Sequence, residues 1–208
     1  HVEEYVEYIE LWAHEIKNPL ALMTFILDNR RDALSADMHQ RLDYVRNQMQ
    51  EDIDRMMYYA RLKSSRQDYL FDGVSLQSCC AEVMAEYAIP LEEHNFMIVN
   101  QVKDLQVVSD KKGLTFMISQ VVSNAIKYAD TQGDQAVLTF YTEVDQEAGC
   151  MLLGIKDDGT GVKEYDMPFI FEKGFTGDTG RQHKAATGMG LYLVKQIAEQ
   201  LNIEVKAK

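Results

Sequence analysis

Cysteine, proline, basic charge and long apolar runs are all scarce in these 208 residues, and each scarcity removes a class of protein. The three cysteines, the adjacent Cys79 and Cys80 and the distant Cys150, are odd in number and lack the paired spacing of a metal site. They fit packed thiols in a reducing compartment better than a disulfide framework. Against 33 acidic residues stand only 21 Lys plus Arg, so the net charge is −12 and no basic run gathers into a patch. Such a surface repels polyanions, and no nucleic-acid partner is expected. No apolar stretch reaches the roughly 18 residues of a membrane span, and the first ten residues lack the basic start and apolar middle of a secretion signal. The chain opens without Met and in mid-pattern, which suggests a fragment whose absent segments hold any membrane anchor.

What is present is a folding chain, with 46% hydrophobic and 26% charged residues. That composition excludes a disordered or collagen-like protein, and the length lies between one large domain and two modest ones. Residues 1–66 hold one Pro and no Gly. Ile9, Trp12, Ile16 and Met23, then Leu42, Val45, Met49, Ile53, Met56 and Ala60, recur at helical spacing and predict two amphipathic helices. Leu34-Ser35-Ala36-Asp37 offers a turn with a polar cap, so the pair is expected to fold back as an antiparallel hairpin. Two helices alone cannot bury both stripes, and a homodimer closing them into a four-helix bundle is the economical solution. After Gln67-Asp68 the texture changes. Short alternating runs at Phe96 to Val102, Ala136 to Val144 and Met151 to Lys156 sit between helical stretches, which predicts an α+β domain over residues 67–208. Eight of the twelve glycines fall between Gly154 and Gly190, as expected where backbone closely approaches a ligand, although surface turns account for some of them.

Chemistry is concentrated in four places. The first is His14-Glu15-Ile16-Lys17-Asn18-Pro19. With about 100° per residue, His14 lies roughly 140° to 200° from Ile9, Trp12 and Ile16 and should face solvent. A neutral imidazole is a nucleophile when a neighbour takes its proton, and Glu15 is placed for that. Asn18, one turn on, suits positioning a water, and Pro19 removes the hydrogen bond to the Glu15 carbonyl. An ordinary surface histidine beside a chance kink would leave the same residues. The second is Gln120 to Tyr128, where Gln120 and Asn124, and Asn124 and Lys127, share a helix face. Amide oxygens suit Mg²⁺ and the ammonium suits phosphate, though a solvated face reads the same. The third is Asp157-Asp158-Gly159-Thr160-Gly161, at a strand end, where a carboxylate can accept from an exocyclic amine such as adenine's while Gly159 and Gly161 admit the base. The spacing does not fit an EF-hand, and a plain turn stays open. The fourth is Thr187-Gly188-Met189-Gly190-Leu191, glycines opening a helix whose free N–H groups can cradle phosphate, although Gly-x-Gly alone is a weak signal. Between the last two lies Phe169 to Gly177 and a polar segment to Ala186, whose Lys173, Arg181 and Lys184 suit a lid over anionic phosphates or a solvated loop anchored by its phenylalanines.

In this order the motifs resemble the cytoplasmic core of sensor histidine kinases over nearly the whole chain. His-Glu-x-x-Asn-Pro is similar to the H box, Gln120 to Tyr128 to the N box, Asp157 to Gly161 to the G1 box, Phe169 to Phe175 to the F box and Gly188 to Leu191 to the G2 box. Trp12 and the sequence of the lid resemble the membrane-embedded sensors that work beside peptide-antibiotic transporters. The resemblance implies a dimerisation and histidine phosphotransfer domain over residues 1–66 and a Bergerat-type ATP-binding sandwich over 67–208. It implies that His14 takes the γ-phosphoryl of Mg-ATP, with Glu15 assisting, and passes it to an aspartate on a response-regulator receiver domain. Asn18 would orient water for dephosphorylating that regulator. Asn124 and Gln120 would ligate Mg²⁺, Asp157 would hold adenine, and Lys127, Tyr128, Gly159, Gly161, Lys173, Thr187, Gly188, Gly190 and Leu191 would line the nucleotide. The full-length protein would sit in the bacterial plasma membrane. Two features depart from the family pattern. Gln120 stands where Asn is common, and the chain stops at Lys208, before the strand that usually closes the sandwich.

Two other readings compete. The same ATP fold serves ATPases in which a Glu at the position of Gln120 activates water, but an amide has no such basicity. A catalytically silent ATP-binding scaffold would use the hairpin only for docking, and the intact His-Glu-x-x-Asn argues against it.

Overall fold

The computed structural model describes residues 2–29, 34–63, 69–129, 135–145, 149–177 and 187–208. The chain divides into two compact units, His1–Asp68 and Tyr69–Lys208. The expected border at Gln67-Asp68 and the lid cations Arg181 and Lys184 lie outside the described residues.

The first unit is a hairpin of α1 (Val2–Asn29) and α2 (Ala36–Lys63). Helix α1 continues through Pro19 without a break. At the start of α2 Ser35 acts as the cap, its Oγ accepting from the Met38 N–H at 3.3 Å and its carbonyl from the His39 N–H at 2.9 Å. The seam between the helices keeps Ile9, Ile16, Met23, Ile53, Met56 and Ala60 of the stripe that the spacing predicts and departs from it at Trp12, Val45 and Met49. Ile9, Ala13, Leu20 and Leu27 are buried on α1, and Ile53 and Ala60 on α2, with Ile16, Met23, Met56 and Met57 packed around them. Trp12 is 43% exposed, and Val45 and Met49 are also exposed. The small Ala13 and Ala60 let the helices approach, whereas the bulk of Trp12 lies on a neighbouring stripe. No described helix is long and apolar enough to cross a membrane.

In the second unit β1 (Phe71–Ser75) pairs antiparallel with β3 (Gln106–Asp110). A second sheet runs in the order β2 (Phe96–Gln101), β4 (Ala136–Asp145), β5 (Cys150–Asp157), with β2 parallel to β4 and β4 antiparallel to β5. A parallel pair needs a long crossover, and the connection from β2 to β4 includes α5 (Lys111–Lys127). Helices α3 (Leu76–Glu86), α4 (Ala88–Glu93) and α6 (Gly190–Gln200) complete the unit, with α5 packed on both α3 and α6. Strand β4 buries Ala136, Leu138, Phe140 and Thr142 in alternation, the period of a strand with one covered face. Leu138, Phe140, Val122, Val83, Leu193 and Ile197 form the fully buried centre, together with the expected packed thiols Cys79 and Cys80. Cys150 is exposed.

Opposite Tyr141 in the register stands Gly154, where a Cβ would fall 2.1 Å from the tyrosine ring, so glycine gives the ring room to lie across the strand. Helix α6 ends in a Schellman motif: Asn202 has φ +56, the Ile203 N–H donates to the Ala198 carbonyl at 2.8 Å and the Asn202 N–H to Glu199 at 3.3 Å. Residues 203–208 form no strand.

Candidate functional site

On the hairpin, His14, Glu15 and Asn18 are all exposed while their neighbour Ala13 is buried. The imidazole thus lies on the solvent side that the helical wheel predicts, opposite Ile9 and Ile16, while Trp12 is exposed as well. No hydrogen bond among the described residues joins Glu15 to the His14 ring; adjacent positions on a helix do not face each other, so that contact requires a side-chain rotation. One feature here was not legible in the sequence. The Lys17 Nζ lies 3.1 Å from Oδ1 of Asp54 on the facing helix, and the Gln50 amide donates to the other Asp54 oxygen at 2.9 Å.

On the second unit the N-box residues ride on α5, whose start is fixed by Asp110. Its Oδ1 accepts from the Gly113 N–H at 2.6 Å and its Oδ2 from the Leu70 N–H at 3.0 Å. An Asp immediately before a helical run is a cap signal that the sequence carries at Asp110. Gln120 is 3% exposed, and Asn124, Lys127 and Tyr128 are half-buried towards the end of the helix. The Lys127 ammonium lies 5.6 Å from the centre of the Tyr128 ring, and burial pushes the Tyr128 phenol above its ordinary pKa, so it keeps its proton at neutral pH.

The end of α5 is tied to the loop after β5. The Tyr128 carbonyl accepts from the Thr160 N–H at 3.1 Å, and a Cβ on Gly159 would stand 2.6 Å from that same carbonyl. Any larger residue at 159 would force the loop away. Asp157 is exposed, and its Oδ1 accepts from the Gly159 N–H at 3.0 Å, which orients the carboxylate; the other oxygen makes no bond among the described residues. Gly161 has φ +68, in the region that favours glycine.

The turn that opens α6 is built the same way. Gly188 has φ +64, and a Cβ there would meet the Gly174 and Phe175 backbone at 2.4 to 2.7 Å; the Gly174 N–H donates to the Gly188 carbonyl at 3.0 Å. The Phe-Glu-Lys-Gly-Phe segment and the Gly-Met-Gly segment are thus laid directly against one another. Phe169 and Phe175 pair at 5.9 Å beside the buried Ile170, and Lys173 is exposed. Thr187 Oγ1 accepts from the Met189 N–H at 3.4 Å, and Leu191 is half-buried. A Cβ on Gly190 would lie 3.0 Å from the Gln120 Oε1, so the N-box amide abuts the first residue of α6. The structure therefore brings Gln120 to Gly190, Tyr128 to Gly159 and Gly188 to Gly174. No group of three or more His, Cys, Asp or Glu suited to holding a metal occurs among the described residues.

Residues 109–208 match the family described as Histidine kinase-, DNA gyrase B-, and HSP90-like ATPase. The sensor histidine kinase GraS of Staphylococcus epidermidis is 33% identical over 207 residues, 99% of this chain and 57% of that protein. The sensor histidine kinase YxdK of Bacillus subtilis is 29% identical, over 95% of this chain and 58% of its own length. The chain thus spans a little over half the length of these curated relatives. Among solved structures, a full-length ShkA in complex with AMPPNP aligns with a TM-score of 0.60 at 19% identity over 93% of this chain and 40% of that one. The Acinetobacter baumannii histidine kinase AdeS aligns with 0.58 at 17% identity over 89% and 86%. These structural likenesses show the α+β Bergerat fold.

Proposed function

This chain carries a sensor histidine kinase ATPase core, and from that premise we propose that it is the kinase core of a two-component system that phosphorylates His14 from Mg-ATP and passes the phosphoryl group to a response-regulator aspartate. The domain assignment follows from the same reading: the hairpin is the dimerisation and phosphotransfer domain, and the α+β unit binds the nucleotide. The observation that carries the reading is the buried Gln120 amide against Gly190, a neutral group at the position where a water-activating acid would be needed. An exposed imidazole in a His-Glu-x-x-Asn-Pro setting on the same chain supplies the acceptor that such a site requires.

The residues present fit the nucleotide and its metal. Two amide oxygens, from Gln120 and Asn124, with no metal-holding group of acidic side chains among the described residues, suit an ion that keeps its waters and binds mainly through substrate phosphates. Bound there, Mg²⁺ would offset charge on the phosphates. Asp157, already oriented by Gly159, would accept from the adenine amine; Lys127 would meet phosphate, Tyr128 with Gly159 and Gly161 would line the base, and Thr187, Gly188, Gly190 and Leu191 would present the opening turn of α6, with Lys173 nearby. The unprotonated nitrogen of neutral His14 would form the N–P bond as the bridging P–O bond to ADP breaks, and the proton on the other ring nitrogen would pass to Glu15. Asn18, on the face of His14, would hold the water that releases phosphate from the regulator. A homodimer, a receiver-domain partner and a bacterial plasma-membrane location for the longer protein belong to this proposal, as does its kinship with transporter-associated sensors.

The test is incubation with γ-labelled ATP. Acid-labile label on the wild-type chain and none on His14→Gln supports the assignment, and label that persists on His14→Gln rejects it. Asn18→Ala should leave labelling intact and slow dephosphorylation of the regulator.

A further inference from the structure

We propose that Lys17 is an exchangeable cation that Asp54 holds while His14 is unmodified and that transfers to the phosphoryl group once His14 carries one, stabilising the phosphohistidine. The proposal rests on the reading that His14 is phosphorylated. Lys17 Nζ is 3.1 Å from Asp54 Oδ1, with both side chains more than one-third exposed, at 39% and 37%. An ion pair so placed is weak and readily exchanged. Asp54 does not lose every partner when the lysine leaves, because Gln50 still donates to its second oxygen at 2.9 Å.

The lysine is also within reach of its new partner. Positions three apart on a helix are surface neighbours, with Cβ atoms about 5 to 6 Å apart, and the four-carbon stem turns freely. A phosphoryl group brings three acceptor oxygens and roughly two negative charges, a stronger partner than one carboxylate shared with Gln50. From Glu10 to Asn18 Lys17 is the only Lys or Arg, while Glu10 and Glu15 add negative charge to the same stretch. The modified histidine would otherwise stand among like charges. Its phosphorylation is thereby coupled to loss of an ion pair between α1 and α2, which gives a docking partner a second feature by which to distinguish the two states.

The experiment holds the 208-residue chain at a fixed ATP:ADP ratio until the reversible transfer equilibrates and reads the ratio of phosphorylated to unmodified His14. Lys17→Gln should lower that ratio about two- to ten-fold, and Lys17→Arg should restore it. Asp54→Asn keeps the size of the side chain and an acceptor for Gln50, and should raise the ratio about two-fold when Lys17 is present and move it little in the Lys17→Gln background. Added salt should bring the wild type towards Lys17→Gln. Equal rises from Asp54→Asn in both backgrounds, or a Lys17→Gln ratio equal to the wild type at unchanged helicity, overturn the proposal. Should Lys17→Gln lose helicity, the Asp54→Asn comparison between Lys17 and Lys17→Arg chains decides: a rise in both supports it, and no rise in either overturns it. A wild-type chain that takes no label overturns the phosphorylation of His14 and this inference with it, whereas a labelled chain whose ratio ignores both positions overturns this inference alone.

Discussion

Helix α1 sets Ile9, Ala13, Leu20 and Leu27 against α2 yet leaves Leu11, Trp12, Leu22, Phe25 and Ile26 exposed, whereas the α+β unit buries Leu138, Phe140, Val122, Leu193 and Ile197 completely. The hairpin has two apolar stripes and one partner helix. An apolar cavity of about 490 Å³, lined by Pro19, Leu22, Met23, Ile26, Leu27, Leu34 and Leu42, opens near its turn. The α+β unit instead has layers enough to cover its own centre. The difference teaches that the two units reach stability by different routes, one through its own interior and the other, under the proposed bundle, through a second copy.

Truncation at the centre of the α+β unit tests the first half of that contrast and carries the largest expected effect. Phe140→Ala should destabilise this unit by about 3 to 5 kcal/mol while leaving the hairpin helices intact, because the ring is fully buried and its neighbours close only part of the cavity. Two transitions in thermal unfolding followed by circular dichroism, only the second-unit one shifted, would show it. A loss of similar size from both units would break the comparison.

Charges placed on the two stripes of α1 test the second half. Ile16 packs on the cluster of Ala13, Leu20 and Ile53, so Ile16→Asp buries a carboxylate in the hairpin's own seam and should reduce helicity as well as association. Phe25 is exposed, and Phe25→Glu should leave helicity unchanged and shift sedimentation from dimer to monomer. If Phe25→Glu stays dimeric, the exposed stripe is not what the second copy covers.

A smaller effect sharpens the view that the α+β unit is preformed for its ligand. Asp157 already accepts from the Gly159 N–H, so Asp157→Asn should leave the loop in place and weaken ATP binding by about 1 to 3 kcal/mol, the loss of one charge-assisted hydrogen bond. Titration calorimetry reads it, and unchanged affinity would remove Asp157 from the pocket.

These contrasts also mark what the sequence could and could not reveal. Helix period and caps are local, so the hairpin, the strands near Phe96, Ala136 and Met151, and the exposure of His14 were legible. Most of the seam was legible too, from Ile9, Ile16, Met23, Ile53, Met56 and Ala60; the choice between Trp12 and Ala13 was not, because both fit the period and only packing selects the alanine. The Asp110 cap is a local signal of the same kind as the helix period, an Asp directly before a helical run. The Gln120 contact with Gly190 and the fit of Tyr141 over Gly154 depend on register and crossover, and the Lys17 pair with Asp54 spans 37 positions. No window along the chain contains both partners.

The smallest effect compares thiols buried in the α+β unit with one outside its core. Burial pushes Cys79 up from its ordinary value and Cys80 up to about 12, the neighbouring Cys79 adding to the rise at Cys80; Cys150 is exposed. A thiol whose pKa is higher folded than unfolded favours folding most fully below its unfolded value, near 9.0, and that contribution is lost as pH climbs towards the folded value. The α+β unit should therefore lose stability progressively between about pH 9 and pH 12. Cys80→Ala removes the titrating group, so its stability profile should be flatter over that window even if its absolute stability is lower. At neutral pH an alkylating reagent should modify Cys150 well before Cys79 or Cys80, and their modification should track global unfolding. Rapid alkylation of Cys80 in the native chain would mean that the centre of this unit opens as readily as the exposed stripe of the hairpin, and the contrast between the two units would fail.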